Sequence, residues 1–128
     1  MKADYQDLLH RLPQPAAGTY PHGTPFVQAL AHGSMRVELF APSASRLGRD
    51  IQEPHTQDEL YVVQRGTSGF WLDGENTAVQ AGDVLFVPAG KRHRFEGFSE
   101  DFVTWVIFYG PHGGETARPR LVPTITPA

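Results

Sequence analysis

The chain has 128 residues, 40% of them hydrophobic, with 13 Gly, 11 Pro, no Cys and a formal charge of −3. That length suits one domain with one core, and the mildly acidic balance offers no basic footprint for a phosphate backbone, so no nucleic-acid partner is expected. Without cysteine there are no disulfides, thiolate ligands or cysteine nucleophiles. No run of about 18 apolar residues suggests a membrane span, and the start at Met1-Lys-Ala-Asp4 has no apolar signal core, so a soluble cytoplasmic protein is expected. The abundance of both turn-forming residues favours short strands, hence an all-β domain.

Residues 4–12 predict a short amphipathic helix, with Asp4 as N-cap and Tyr5, Leu8, Leu9 and Leu12 at helical spacing, ended by Pro13 and Pro15. Its expected role is a lid or packing element, with no part for His10. Residues 13–25 read as an irregular surface connection, in which His22 is a solvated loop histidine. Phe26–Ala31 and Met35–Phe40 predict a hairpin about His32-Gly33-Ser34, since Met35, Val37 and Leu39 alternate with Arg36 and Glu38. Ala41–Ile51 reads as a loop. Leu60–Gln64, Gly69–Asp73, Asn76–Gln80, Val84–Val87, His93–Phe98 and Phe102–Tyr109 read as further strands, with Asp73-Gly74 a strong hairpin signal. Val84–Val87 is continuously apolar, which predicts cover on both faces. Several short strands at close spacing predict a sandwich or a barrel, with residues 111–128 an extended tail that is mobile or laid across a neighbouring subunit.

Chemistry concentrates in two stretches, Glu53-Pro-His55-Thr-Gln57-Asp-Glu59-Leu-Tyr61 through Gly66, and Gly82 through Pro88-Ala-Gly90-Lys-Arg-His93. Alternation along a strand puts His55, Gln57, Glu59 and Tyr61 on one side, with Glu53 in line if the extended backbone begins that early. The second stretch supplies another imidazole just after a Pro/Gly turn, where a short hairpin would bring it beside the first. Two imidazoles and a carboxylate converging on one point is a metal-site pattern.

Together the two stretches resemble the two motifs of the cupin superfamily. Gly82, Pro88, Gly90 and His93 keep the second motif, with Gly97 at its usual final Asn position. His55, Glu59 and Gly66 keep the second His, the Glu and the Gly of the first motif, whose first His position is Glu53. The resemblance covers about residues 48–110. It implies a double-stranded β-helix, a jelly-roll barrel with its site inside, which with the strands read above spans residues 26–110 and leaves the short helix and its connection in residues 1–25. It further implies one divalent transition metal (Fe, Mn, Ni, Zn or Co) held by His55, Glu59 and His93, with Glu53 a ligand, an outer-shell acid or a surface residue. Asp58 competes with Glu59 if a bulge shifts the register, and the six residues between Glu59 and Gly66 favour Glu59.

Gln57, Tyr61 and Phe95 are expected to line the pocket, while Phe70 or Trp71, and Phe102, Trp105 or Phe108, either close it or, as most of them are expected to, pack in the core. Arg65, Lys91, Arg92 and Arg94 read as solvated turn positions, the alternative being that Arg92 or Arg94 stands at the mouth and pairs with an acidic substrate. Three functions fit: a metal-dependent, oxygenase-like enzyme acting on a small organic molecule, a small-molecule binding or sensing module, and a dimeric structural protein with a vestigial site. A homodimer is expected because Phe102–Tyr109 is apolar on both faces, the alternative being that the N-terminal segment covers the outer face within one chain.

Overall fold

The computed structural model describes residues 1–123. Two antiparallel sheets face each other as a jelly roll. In chain order the strands are β1 (Phe26–His32), β2 (Met35–Phe40), β3 (Asp58–Arg65), β4 (Thr67–Leu72), β5 (Glu75–Gln80), β6 (Val84–Val87), β7 (His93–Glu96) and β8 (Val103–Tyr109). The larger sheet runs β1-β2-β8-β3-β6 and the smaller β5-β4-β7. Gly66, between β3 and β4, has φ +80°, and a Cβ there would come within 2.7 Å of the Phe102 backbone. This turn therefore requires glycine, which gives the last residue of the first motif its physical reason.

Between the sheets lies an aromatic core in which Phe40, Tyr61, Phe70, Phe95, Phe102 and Phe108 are all buried. Ring centroids of Tyr61 and Phe95 are 4.9 Å apart and those of Phe95 and Phe102 4.8 Å. Each such side chain stabilises the fold by about 1.5–3 kcal/mol through apolar burial, so these rings dominate the cohesion of the two sheets.

A second cluster lies outside the barrel. Helix α1 (Tyr5–His10), N-capped by Asp4, sets Leu8 against Val27, Leu39, Ala41 and Val103. Tyr5 packs on Trp105 with centroids 6.2 Å apart. The outer side of β8, whose apolar character motivated a homodimer, is thus covered by the chain's own N-terminal segment at Val103 and Trp105, while Ile107 and Tyr109 lie outside that cluster and are half-buried. Two other expectations also change. β6 is the edge of the larger sheet with Val84 62% exposed, so it is not covered on both faces. The C-terminal segment folds back through a hydrogen bond from the Glu115 amide to Asp58 Oδ2, and residues 117–121 border a groove beside Phe86 and Tyr109. The last part of the expected tail, residues 124–128, lies outside the described residues.

Candidate metal centre

Glu59 projects from β3 into the barrel, 1% exposed, on the same face as Tyr61. His55 precedes the strand: the backbone becomes extended in β3 only at Asp58, so His55 reaches inward from the loop, where its carbonyl accepts from the Gly90 amide at 2.7 Å. His93 arrives from the opposite sheet. It opens β7 and pairs with Leu72 of β4, so it faces Glu59 across the barrel and does not share a hairpin with it.

One donor atom from each of His55, Glu59 and His93 lies within 4.8 Å of the others. His93 Nε2 is 2.8 Å from Glu59 Oε1, and His55 Nε2 is 3.7 Å from Glu59 Oε2. Yet both Glu59 oxygens and His55 Nε2 are buried without a hydrogen bond of acceptable direction. Donors that are close but not aimed at one another are suited to a common point between them, and buried polar atoms left unpartnered are costly unless something fills that point.

The surrounding residues fix His93. Its Nδ1 lies 2.9 Å from the Lys91 carbonyl, which requires the Nδ1–H to donate there and turns Nε2 inward, an arrangement typical of metal-binding imidazoles. Burial lowers the His93 pKa, but the adjacent Glu59 carboxylate, the Lys91 carbonyl and more distant Asp50 outweigh it and leave the pKa raised. His55 goes the other way. Burial, with the His93 and Arg36 charges, lowers its pKa more than Glu59 and Asp50 raise it. Tyr61 hydroxyl stands 3.0 Å from His93 Nε2 and donates to Gln52 Oε1 at 2.8 Å. Burial first, then the Glu59 and Asp50 charges, pushes its pKa well up, so the phenol stays protonated.

Other expected site residues are placed differently. Glu53 is exposed and outside the convergent group, because its loop does not yet alternate as a strand. Gln57 is buried, but its amide donates to the Ser34 and Gly110 carbonyls, which ties two loops together and removes it from ligand contact through that group. Asp58 points away from the donors and accepts from the Ala89 and Glu115 amides. Phe95 and Tyr61 are core residues beneath the donors. Trp105 lies under α1, and Arg94 is occupied by Glu96 and the Trp71 ring.

Asp50 and Gln52 were not singled out from the sequence. Asp50 Oδ2 accepts from the Phe95 amide at 2.9 Å and from Gln52 Nε2, so a hydrogen-bonded chain runs Asp50, Gln52, Tyr61 and ends with the Tyr61 oxygen 3.0 Å from His93 Nε2. Burial raises the Asp50 pKa against these donors and His93. Both residues sit in an irregular loop, where no periodicity marks them.

The chain belongs to the cupin family: residues 37–109 match the family's cupin domain. It is 40% identical over 86 residues to an uncharacterised protein of Streptomyces coelicolor, spanning 67% of this chain and 80% of that one. Similar solved structures include a cupin-2 domain protein of Shewanella frigidimarina, with TM-score 0.56, 16% identity and coverage of 84% of this chain and 93% of that one. Another is the DMSP lyase DddQ of Ruegeria pomeroyi, with TM-score 0.52, 17% identity and coverage of 66% and 46%. At such identities these two structures bear on the fold alone.

Proposed function

We propose that the protein is a metal-binding cupin whose His55, Glu59 and His93 hold one divalent transition metal, and that it acts as an enzyme on a small organic molecule. The observation that carries this reading is the set of three buried, unpartnered donor atoms, Glu59 Oε1, Glu59 Oε2 and His55 Nε2, around one point. Bound there, Fe, Mn, Ni, Zn or Co would supply Lewis acidity, and with a redox-active ion oxygenase-like chemistry, at a centre where three protein donors leave a position open. The protein's own part is orientation. Lys91 carbonyl fixes the His93 tautomer, Phe108 supports the His55 ring at a centroid distance of 4.5 Å, and Tyr61 holds a protonated hydroxyl beside the donors.

Access to His55 comes from a cleft of about 520 Å³ that it shares with Pro54, Thr56, Ala89, Gly90, His112 and Gly113. On this reading residues 26–110 are the working barrel, and residues 1–25 are its outer cover. A non-catalytic ligand-binding cupin would use the same donors, and the similarity in fold to a DMSP lyase does not choose between the two.

The test is elemental analysis and melting of wild type and His93→Ala, each with and without chelator. About one metal per wild-type chain is expected, with a chelator-sensitive gain in Tm on the order of 10 °C when free metal exceeds Kd a hundredfold. His93→Ala should lose both the metal and the chelator effect. Equal metal content and identical melting in all four samples would remove His93 as a ligand.

A further inference from the structure

β2 presents two charged residues to the inside of the barrel, Arg36 and Glu38. Register fixes the face: Arg36 lies opposite Phe108 and Phe108 opposite Glu59, while Glu38 lies opposite Val106 and Val106 opposite Tyr61. Directly opposed residues in an antiparallel sheet share a side, so Arg36, Phe108 and Glu59 form one row across the concave surface. Arg36 Cζ stands 4.9 Å from the centre of the Phe108 ring, and the His55 ring packs on that same ring. A single aromatic side chain therefore separates the guanidinium from the donor cluster.

Arg36 is also uncommitted. Arg65 pairs with Asp101, Lys91 with Asp73, Arg94 with Glu96 and Arg11 with Asp7. Among the described residues Arg36, like Arg46, Arg49 and Arg92, forms no salt bridge, and of these it is the one on the donor row. A cation held at a barrel mouth by a cation–π contact, with its planar fork of donors free, is suited to a planar anion.

We propose that Arg36 is an anion anchor and that the substrate is a small monocarboxylic acid, its carboxylate on Arg36 and a second polar atom turned toward His55, Glu59 and His93. The charge class follows from the neighbours: Glu38 and Glu59 share the concave face, and both would repel the second negative charge of a phosphate or dicarboxylate. The carboxylate contact stands on Arg36 alone. The second contact rests on the metal reading.

The experiment is a nuclear magnetic resonance titration of the full chain, Zn²⁺-loaded and chelated, with propionate, propionamide and inorganic phosphate, followed at the Phe108 amide and with metal content measured separately. Propionate should bind roughly tenfold more tightly than propionamide, the range of a charge-assisted hydrogen-bonded pair, and more tightly than phosphate. Arg36→Gln should erase the preference over propionamide, and Arg36→Lys should retain part of it, with Zn²⁺ content unchanged in both. If propionate and propionamide bind alike in wild type, or the preference survives in Arg36→Gln, Arg36 is only a solvated surface cation and the inference fails. Tighter phosphate binding would overturn the monocarboxylate class. A chain that takes up no Zn²⁺ but keeps an Arg36-dependent preference refutes the metal reading and supports the anchor. One that takes up Zn²⁺ without that preference does the reverse.

Discussion

Asp58 and Glu59 are adjacent carboxylates with opposite assignments, and the difference follows from the two-residue period of the strand. Asp58 accepts two backbone amides and is structural; Glu59 accepts no well-directed bond and faces both imidazoles. This has a measurable consequence in chelated protein. His55 has its pKa lowered by folding, so the unfolded chain binds more protons below about pH 6.5, and stability rises with pH up to that value. His93 has its pKa raised against the effect of burial, so its contribution is fully present below about pH 6.5 and is lost as pH rises through the folded value. Over the imidazole range, Tm of the chelated protein should therefore pass through a maximum near pH 6.5. In Glu59→Gln the descending side should flatten, because the carboxylate that raises the His93 pKa is gone. Melting scans across pH check both, and a descending side unchanged in Glu59→Gln would contradict the assignment.

At the level of elements, α1 and β2 explain each other. Met35, Val37 and Leu39 alternate with Arg36 and Glu38, a pattern that from sequence suggests an apolar core face and a polar solvent face. Instead Leu39 belongs to the outer cluster under α1, while Arg36 and Glu38 face inward beside Phe40 and Phe108. Strand existence was legible because alternation and Gly/Pro turns mark it locally. Which face points inward was not, because it depends on a helix about 25 residues earlier covering the other side. Leu8 is 3% exposed at the centre of that cover. Leu8→Ala should cost about 2–4 kcal/mol in denaturant unfolding, the usual price of truncating a buried leucine. It should also leave metal content untouched, since no donor belongs to the outer cluster. Metal loss at full folding would mean that α1 shapes the site directly.

On the scale of the whole molecule, the site is a junction between the two sheets. His55, Glu59 and His93 were legible as candidates through motif spacing, but the hairpin route expected for His93 was not the one observed. Spacing records distance along the chain and not which sheet a strand joins. The loop chain from Asp50 through Gln52 to Tyr61 left no periodic trace at all, and the inward Arg36 was hidden by the apolar residues on either side of it.

The Asp58 clasp also bears on the order of folding. Its two oxygens hold amides 31 and 57 residues further along, and the Gly113 amide bonds the Thr56 carbonyl at 2.6 Å. A Cβ on Gly114, which has φ +87°, would approach Asp58 Oδ1 to 2.7 Å, so the C-terminal loop closes against this residue with no room to spare. The β1–β2 and β4–β5 hairpins need only local closure, whereas the donor cluster needs two segments from opposite sheets, residues 55–59 and His93, in place together, a condition that loop-closure entropy defers to the late stages of folding. A metal ion held there would therefore act on the unfolding barrier. Stopped-flow traces with saturating Zn²⁺ should show refolding at an unchanged rate and unfolding slowed roughly a hundredfold when free metal is about a hundred times Kd. Faster refolding with unchanged unfolding would place the donor cluster in the folding nucleus instead.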